Sequence, residues 1–160
     1  MPLIVDGHNL IGQMPELSLA DVDDEQRLIE ILCEFCRRAG HTAEVYFDNA
    51  LPGAPRARKH GRLTAYYTRT GKSADQAIFE RLSRLGREAH NWTVISSDRQ
   101  VQTVARAHHA RVLSSSEFAR QLRATLRQEE RSTTEWREAP EITADEIKEW
   151  LRLFRENRPE

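Results

Sequence analysis

Four aspartates in this sequence have positions that could let them do chemistry together. Asp6 and Asp48 each end a β-rich segment, PLIVD and AEVYFD, whereas Asp75 and Asp98 each follow a serine that can start a helix. Two unit charges ~4 Å apart repel by about 4 kcal/mol at an effective dielectric near 20, so the four carboxylates would need compensation if they converged. A divalent cation would provide it, and an all-oxygen ligand set suits Mg²⁺ or Mn²⁺ rather than zinc.

Each of these acids also has a purely structural explanation. Asp75 and Asp98 could each complement a helix dipole, worth ~0.3–1 kcal/mol, and Asp48 could be an ordinary turn residue. Asp6 is harder to explain in this way, because it lies between core positions and is followed by Gly7, which permits a tight backbone turn. Asn9 adds an amide that could orient Asp6 or a water on the metal. The four acids together therefore predict a metal site.

The elements that would position these residues alternate between strand and helix. Strand patterns cover residues 2–6, 43–48, 63–68, 92–96 and 111–113, and helical patterns cover residues 24–39, 74–88, 98–109 and 117–128. Strands separated by helical crossovers predict a doubly wound α/β fold with a mostly parallel, five-stranded sheet. Ligands bind such sheets at the carboxyl ends of the strands, where the strand order reverses. All four acids are predicted at that edge.

Capping boxes predict where three of the helices begin. A hydroxyl residue precedes a glutamine or glutamate by three positions in Ser73-x-x-Gln76, Ser97-x-x-Gln100 and Ser114-x-x-Glu117. In this pattern the two side chains bond reciprocally to backbone amides of the first helical turn.

The C-terminal part of the chain differs from the rest in its composition and pattern. Residues 129–141 are polar and predict a linker or a continuation of the preceding helix. A further capping box, Thr143-x-x-Glu146, then begins an amphipathic helix whose apolar stripe consists of Ile147, Trp150, Leu151 and Phe154. We expect a domain over residues 1–128 and a helical extension over residues 129–160. The stripe could pack on this domain, on a second copy of the chain or on another partner.

A cationic segment lies between the first and second predicted helices. Although the formal net charge is -1, residues 49–74 contain six cationic side chains and no acid: Arg56, Arg58, Lys59, Arg62, Arg69 and Lys72. The segment could be an ordinary solvated loop, but its lack of acids favours contact with phosphates. Tyr66 and Tyr67 follow in TAYYT, and one of them could stack on an unpaired base. As neighbours in a strand, the two rings must point to opposite faces of the sheet.

Composition excludes several classes of protein. The sequence has no apolar run of the roughly 20 residues that a membrane helix needs, so we expect a cytoplasmic protein without a membrane partner. Cys33 and Cys36 form a single C-x-x-C inside a predicted helix and have no second ligand pair. They are interpreted as small core residues rather than as a zinc or redox site.

The motifs DGHN, FDN, SADQAI and SSDRQ, in this order, resemble the NYN domain of the PIN-like nuclease superfamily, and specifically its YacP-like branch. The resemblance spans roughly the first three-quarters of the chain. It implies a PIN-like fold and a metal-dependent endoribonuclease whose site is formed or supported by Asp6, Asn9, Asp48, Asp75 and Asp98. It also implies a link to mRNA decay, and the best-known YacP-like proteins cut messages on the translating ribosome.

The sequence thus predicts an endoribonuclease for single-stranded RNA, with water activated by Mg²⁺ or Mn²⁺ as the nucleophile. Asp6, Asp75 and Asp98 are the principal carboxylates, Asp48 is a further metal ligand, and Asn9 is an orienting residue. The alternative is a catalytically silent module that binds RNA or the ribosome and uses its acids only as helix caps. A phosphatase is disfavoured because DGHN lacks the paired acids of a D-x-D motif. A ribosome partner and self-association through the C-terminal helix are left open.

Overall fold

The computed structural model describes residues 1–14, 23–48, 56–69, 71–133 and 147–152. Along the chain the elements are β1 Pro2–Asp6, α1 Gly7–Ile11, α2 Asp23–Ala39, β2 Thr42–Phe47, β3 Ala57–His60, β4 Leu63–Tyr67, α3 Ala74–Leu85, a 3-10 helix Gly86–Asn91, β5 Thr93–Ile95, α4 Arg99–Ala107, β6 Arg111–Leu113 and α5 Ser115–Thr133. The predicted alternation of strands and helices is confirmed.

The strands form one sheet in the order β3-β4-β2-β1-β5-β6. Every neighbouring pair is parallel except β3 and β4, which are antiparallel. The order of the parallel strands reverses between β1 and β5, so the carboxyl ends of these two strands flank the position where such folds bind ligands. The predicted fold class is confirmed, with six strands instead of five.

The additional strand, β3, lies in the cationic segment, where the sequence pattern predicts no strand before residue 63. Its sequence ARKH has no alternation of apolar and polar residues, and Ala57, Arg58 and Lys59 are exposed. Among the described strands it pairs with β4 alone, and it therefore forms an edge of the sheet. Charged side chains are common on edge strands because they discourage pairing with other chains. An edge strand of this kind lacks the periodicity on which strand prediction depends.

Helices cover both faces of the sheet. On one face Val5 and Val45 pack with residues of α1, α2 and α5, and on the other face Ile4 and Tyr46 pack with residues of α3 and α4. Alternate strand residues point to opposite faces, which places Tyr66 on the α3 side and Tyr67 on the α2 side. The expectation that the two tyrosines separate is therefore correct.

The C-terminal stripe packs on the domain as far as it is described. Ile147 and Leu151 lie in helical residues 147–152 and are buried in the cluster that includes α2 and α5. The Trp150 ring packs against this cluster, and the guanidinium carbon of Arg38 lies 5.6 Å from its centroid. Phe154 and the capping box at 143–146 lie outside the described residues. Because α5 continues to Thr133, the expected boundary after residue 128 falls inside a helix.

Both cysteines are free thiols on α2. Cys36 is buried in the core, and burial raises the pKa of its thiol to about 12. Cys33 is half-buried and packs against the same cluster. Their interpretation as core residues is confirmed. None of the helices in the described ranges is both long enough and apolar enough to cross a membrane.

Candidate active site

The buried side chain of Ser96 connects two of the predicted acids at the point where the strand order reverses. Asp6 is the last residue of β1, and Ser96 directly follows β5. The hydroxyl of Ser96 donates a hydrogen bond to Asp6 Oδ2 at 3.2 Å and accepts one from the backbone N–H of Asp98 at 3.1 Å. Ser96 is fully buried, so these contacts fix Asp6 relative to the turn that carries Asp98.

Asp6 lies in an environment that disfavours its charge. It is only 7% exposed, and burial raises the pKa of its carboxyl to about 6. The charges of Asp75 and Asp48 act in the same direction, whereas hydrogen bonds from Ser96 and from the backbone N–H of Asn9 oppose them. In the described part of the chain, no lysine or arginine forms an ion pair with Asp6. Within these ranges no lysine or arginine compensates the buried carboxylate, although its charge contributes to the raised pKa of His8.

Asp48 and Asp75 lie at the start of α3. The predicted capping box is confirmed there, because the Ser73 side chain accepts a hydrogen bond from the backbone N–H of Gln76 and the Gln76 side chain accepts one from the backbone N–H of Ser73. Asp48 accepts a further hydrogen bond from the backbone N–H of Ala74, which ties the end of β2 to this helix. Burial raises the pKa of Asp75, and the charges of Asp98 and Asp48 raise it further. The four predicted acids thus influence one another electrostatically.

Asp98 caps α4. Its Oδ1 accepts hydrogen bonds from the backbone N–H groups of Gln100 at 2.8 Å and Val101 at 3.4 Å. The expected box between Ser97 and Gln100 is wrong, because the helix begins one residue later and Asp98 takes the cap position. Ser97 instead accepts a hydrogen bond from the backbone N–H of Ser115. At the third box, Ser114 accepts the expected bond from the backbone N–H of Glu117.

Asn9 holds together the loops around the acids. Its Oδ1 accepts hydrogen bonds from the backbone N–H of Ser97 at 2.8 Å and from the hydroxyl of Ser115 at 2.6 Å. The amide oxygen is therefore committed to these loops, and the residue reaches Asp6 through its backbone N–H. Ser96 and Ser115 were not predicted as site residues. A signal for them is present in the sequence, since Ser96 ends a predicted strand, Ser115 shortly follows one, and each belongs to a cluster of serines.

His8 lies beside the acids and bridges two carboxylates. Its Nε2 is 3.3 Å from Glu25 Oε1, and its Nδ1 is 3.9 Å from Asp48 Oδ2. The hydrogen bond with Glu25 is the largest cause of a raised pKa for His8. The imidazole therefore has a structural partner in α2.

Close packing explains the glycine in DGHN. A Cβ atom at Gly7 would lie 2.3 Å from Cε1 of the fully buried Phe47 ring. The backbone of Gly7 is not left-handed, so the tight turn that the sequence suggested is not the reason for glycine. Only a hydrogen atom fits between this helix start and the ring.

The chemistry of this donor set fits a hard divalent ion. Its side chains offer carboxylate oxygens, and burial and mutual repulsion raise the pKa of Asp6 and of Asp75. Within the residues that the structure describes, no three His, Cys, Asp or Glu side chains are close enough to form a metal cluster. Mg²⁺ usually keeps several waters and binds only one or two protein carboxylates directly. These residues therefore suit an ion held partly through water.

The structure separates the six predicted RNA-binding cations. Arg56, Arg69 and Lys72 line a common groove near the carboxyl end of β4. Arg58 and Lys59 lie along the edge strand β3. Arg62 lies at the opposite end of the sheet, where its carbonyl accepts a hydrogen bond from the first buried residue of β2. Of the six, only Arg56, Arg69 and Lys72 are grouped at the end of the sheet where the acids lie.

The comparison with protein families gives the most direct indication of relationship. The model of the YacP-like NYN domain matches residues 3–155. The chain belongs to the YacP-like NYN domain family. This family is a branch of the PIN-like nuclease superfamily, which implies an RNA substrate, and PIN-like nuclease domains typically use divalent metal ions.

Similar proteins agree with this assignment. The uncharacterized protein YacP of Bacillus subtilis (strain 168) is 28% identical over 134 residues, which are 81% of this chain and 79% of that protein. A crystal structure of Rae1 (YacP) from Bacillus subtilis matches with a TM-score of 0.71 at 24% identity over 98% of this chain and 89% of that chain. A mutant of the same protein gives a TM-score of 0.71 at 23% identity, over 94% and 90%. These two structures share the fold.

Proposed function

We propose that this protein is a metal-dependent endoribonuclease that hydrolyses phosphodiester bonds in single-stranded RNA. The buried Asp6 carboxyl carries the proposal, because its pKa is raised to about 6 by burial and by Asp75 and Asp48. A buried, uncompensated acid destabilises a fold, whose whole margin is about 5–15 kcal/mol. A bound cation would convert that unfavourable arrangement into a functional one.

Asp6, Asp75 and Asp98 are the proposed principal carboxylates, and Asp48 assists them. These residues would hold Mg²⁺ or Mn²⁺, which when bound polarises the phosphoryl oxygen and lowers the pKa of water. Asp48 also fixes the start of α3 through the Ala74 N–H. The positions of these acids therefore depend on hydrogen bonds that the chain itself provides.

Two further parts of the chain support this site. Asn9 and Ser96 position the β5–α4 loop that carries Asp98. The six predicted cations would hold the flanking phosphates, with Arg56, Arg69 and Lys72 best placed.

The family resemblance supports a biological role in cytoplasmic mRNA decay. We propose the translating ribosome as the partner to test first. The catalytic residues all fall within residues 1–128, which we propose as the nuclease unit, with residues 129–160 as an extension. The burial of Ile147 and Leu151 makes that extension part of the packed core, which disfavours self-association through these two residues.

A catalytically silent RNA-binding module is the second candidate. One observation favours it: Asp48 and Asp98 both accept backbone N–H groups at helix starts, as purely structural acids would. In such a module the acids would bind no ion. Divalent ions would then leave both RNA cleavage and thermal stability unchanged.

The substitution Asp75→Asn tests the nuclease proposal. Asp75 makes no hydrogen bond or ion pair within the described ranges, so the amide should leave the fold intact. We expect cleavage of a labelled single-stranded RNA in Mn²⁺ to fall by more than the roughly 100-fold that outer-shell changes cause at metal sites. The control is Glu88→Gln, which removes an exposed acid from the 3-10 helix. Equal cleavage by wild type and Asp75→Asn would refute the assignment.

A second arm of the experiment addresses substrate and partner. The same assay is repeated with a hairpin of matched sequence and with translating ribosomes, each with Mn²⁺ or with EDTA. Preference for the single strand supports the proposed substrate class. Cleavage only in the presence of ribosomes would assign recognition to the ribosome rather than to the cationic segment.

A further inference from the structure

A cationic and aromatic groove of about 480 Å³ lies beside the carboxyl end of β4. Its cationic lining consists of Arg56, Arg69, Lys72 and Arg84. The volume falls within the range of about 300–1,000 Å³ that is typical of small-ligand sites. Arg84 on α3 belongs to this surface although it lies outside the cationic segment of the sequence.

Tyr66 forms a supported aromatic surface in this groove. Its ring stacks on that of Tyr46, with centroids 5.0 Å apart and planes inclined by 13°. Tyr46 is 3% exposed, and its hydroxyl donates a hydrogen bond to Glu44 at 2.7 Å. Tyr66 itself is half-buried and lines the groove. A ring that is held from behind loses little further freedom when a planar ligand stacks on it.

Charge and aromatic surface lie next to each other in the groove. Burial raises the pKa of Tyr66, and the nearby guanidinium of Arg84 acts in the opposite direction. Glu80, the carboxylate in the described lining, forms an ion pair with Lys72. The three arginines of the lining form no ion pair within the described ranges. The groove therefore presents unneutralised positive charge around an aromatic ring, which suits a base attached to a phosphate.

The groove is separate from the acid cluster. Ala77, Glu80 and Arg84 line it and share one face of α3 by their spacing. Asp75 precedes Ala77 by two positions, which corresponds to a rotation of about 200° around the helix. The groove and Asp75 thus lie on different sides of α3, a helix about 10–12 Å across with its side chains, and none of the four acids lines the groove. A group in the groove is not the group that reacts.

We propose that this groove binds one nucleotide of unpaired RNA outside the reacting phosphodiester. The base lies against Tyr66, and the phosphate lies on Arg84 with Arg56 and Arg69. The proposal rests on the proposed function, because it takes RNA as the substrate. Bases in a duplex remain stacked on each other and do not enter such a groove, so the site would select single strands.

Binding without divalent ions tests the groove separately from catalysis. The probe is a fluorescein-labelled, unstructured 12-nucleotide RNA in EDTA, and fluorescence anisotropy gives its affinity over a range of salt concentrations. We expect Arg84→Gln to weaken binding roughly 3- to 10-fold and to reduce the salt slope by about 1. Arg87→Gln, at an exposed arginine outside the groove lining, is the matched control and should bind like wild type.

Substitutions at Tyr66 test the stacking separately. Tyr66→Leu should weaken binding about 5- to 100-fold, whereas Tyr66→Phe keeps the ring and should keep the affinity. Urea denaturation of each variant checks that the fold is intact, and Arg84→Gln gives an independent result at an exposed position.

The outcomes separate this proposal from the proposed function. Wild-type affinity in both Arg84→Gln and Tyr66→Leu, or no binding by the wild type in EDTA, overturns the groove and leaves the nuclease assignment untouched. Binding that depends on Tyr66 and Arg84 supports the groove. If the wild-type protein binds RNA in this way but does not cleave it in Mn²⁺, the nuclease proposal fails while the groove proposal stands.

Discussion

Two buried carboxylates of this protein have opposite electrostatic environments. Glu34 on α2 is 5% exposed, and Asp6 at the end of β1 is 7% exposed. Burial pushes the pKa of Glu34 upward, but hydrogen bonds from Arg37 and Arg38 outweigh it and leave that pKa below its usual value. Burial raises the pKa of Asp6 to about 6, and the charges of its neighbours Asp75 and Asp48 add to the effect of burial instead of opposing it.

The two acids are buried to nearly the same extent, so the opposite directions of their pKa shifts come from the charges of their neighbours. Glu34 is neutralised by arginines of its own helix. One of them, Arg38, also donates to the carbonyls of Thr125 and Leu126 and so links α2 to α5. Asp6 has no such partner in the described part of the chain. Glu34 therefore has a structural role, whereas we expect Asp6 to need a bound cation. The predictions below test this contrast.

The largest effect is expected from removal of a cation at Glu34. Arg38→Ala leaves a buried carboxylate with only one partner, and we expect a loss of about 3–5 kcal/mol in the free energy of unfolding. Arg37→Ala is the matched control, because the Arg37 side chain is 63% exposed and such pairs contribute about 0–1 kcal/mol. Urea denaturation measures both. Equal destabilisation by the two variants would contradict the structural role assigned to Glu34.

The pH dependence of stability should differ in sign between the two acids. The pKa of Asp6 rises from 3.8 to about 6 on folding, so the folded protein binds its proton more tightly. Asp6 therefore contributes about 3 kcal/mol to the free energy of unfolding below pH 4, and this contribution is lost as the pH rises to 6. The pKa of Glu34 is lowered, so its contribution is lost as the pH falls.

Urea denaturation between pH 4 and pH 7 in EDTA measures this difference. The stability of wild type relative to Asp6→Asn should fall with increasing pH, whereas that relative to Glu34→Gln should rise. Parallel profiles for wild type and Asp6→Asn would show that Asp6 is not electrostatically strained.

The stability of the sheet edge that carries the acids should also be sensitive to the addition of a single methyl group. Gly7→Ala places a Cβ atom 2.3 Å from the Phe47 ring, and overpacking of this kind costs about 1–3 kcal/mol. Gly12→Ala is the control, because its Cβ atom would meet the Asn9 carbonyl at 3.4 Å and its backbone is helical. Thermal unfolding of both variants measures the effect. An unchanged Tm in Gly7→Ala would mean that this edge of the sheet is loosely packed.

The smallest effect is expected at Ser96. Ser96→Ala removes the hydrogen bonds to Asp6 and Asp98 and should cost about 1–2 kcal/mol. Because the bond to Asp6 lowers its pKa, the loss of stability with pH should move to higher pH in this variant. Titration of the Asp6 carboxyl by NMR checks the direction. An unchanged or lower pKa would contradict the positioning role of Ser96.

Local patterns predicted the parts of the fold and site that local forces determine. The strand that ends in Asp6 is mostly buried and reads as an apolar run, and the strand that precedes Asp48 is rich in residues that favour β-structure. The capping box at Ser73 depends on four consecutive residues, and it placed Asp75 in the first turn of α3. Parallel pairing then brought these acids to one edge, as the topology requires.

The remaining features depend on contacts between distant residues. Ser96 reaches Asp6 across 90 positions of sequence, and Asn9 reaches Ser115 across 106. Arg62 was grouped with the other cations by sequence, but the β3–β4 hairpin carries it to the far end of the sheet. The exact cap of α4 was missed because Ser97 and Asp98 are both good cap residues and only tertiary packing chooses between them.

The most direct test of the central claim is thermal unfolding of the full chain in increasing Mn²⁺, compared with the double variant Asp6→Asn, Asp75→Asn. An ion that binds only the folded protein raises its stability by about 2.7 kcal/mol at 100 times Kd, which is roughly 5 °C or more in Tm for a chain of this size. The account predicts a concentration-dependent rise in wild type and none in the double variant. A flat wild-type response, or an equal rise in both proteins, would contradict it.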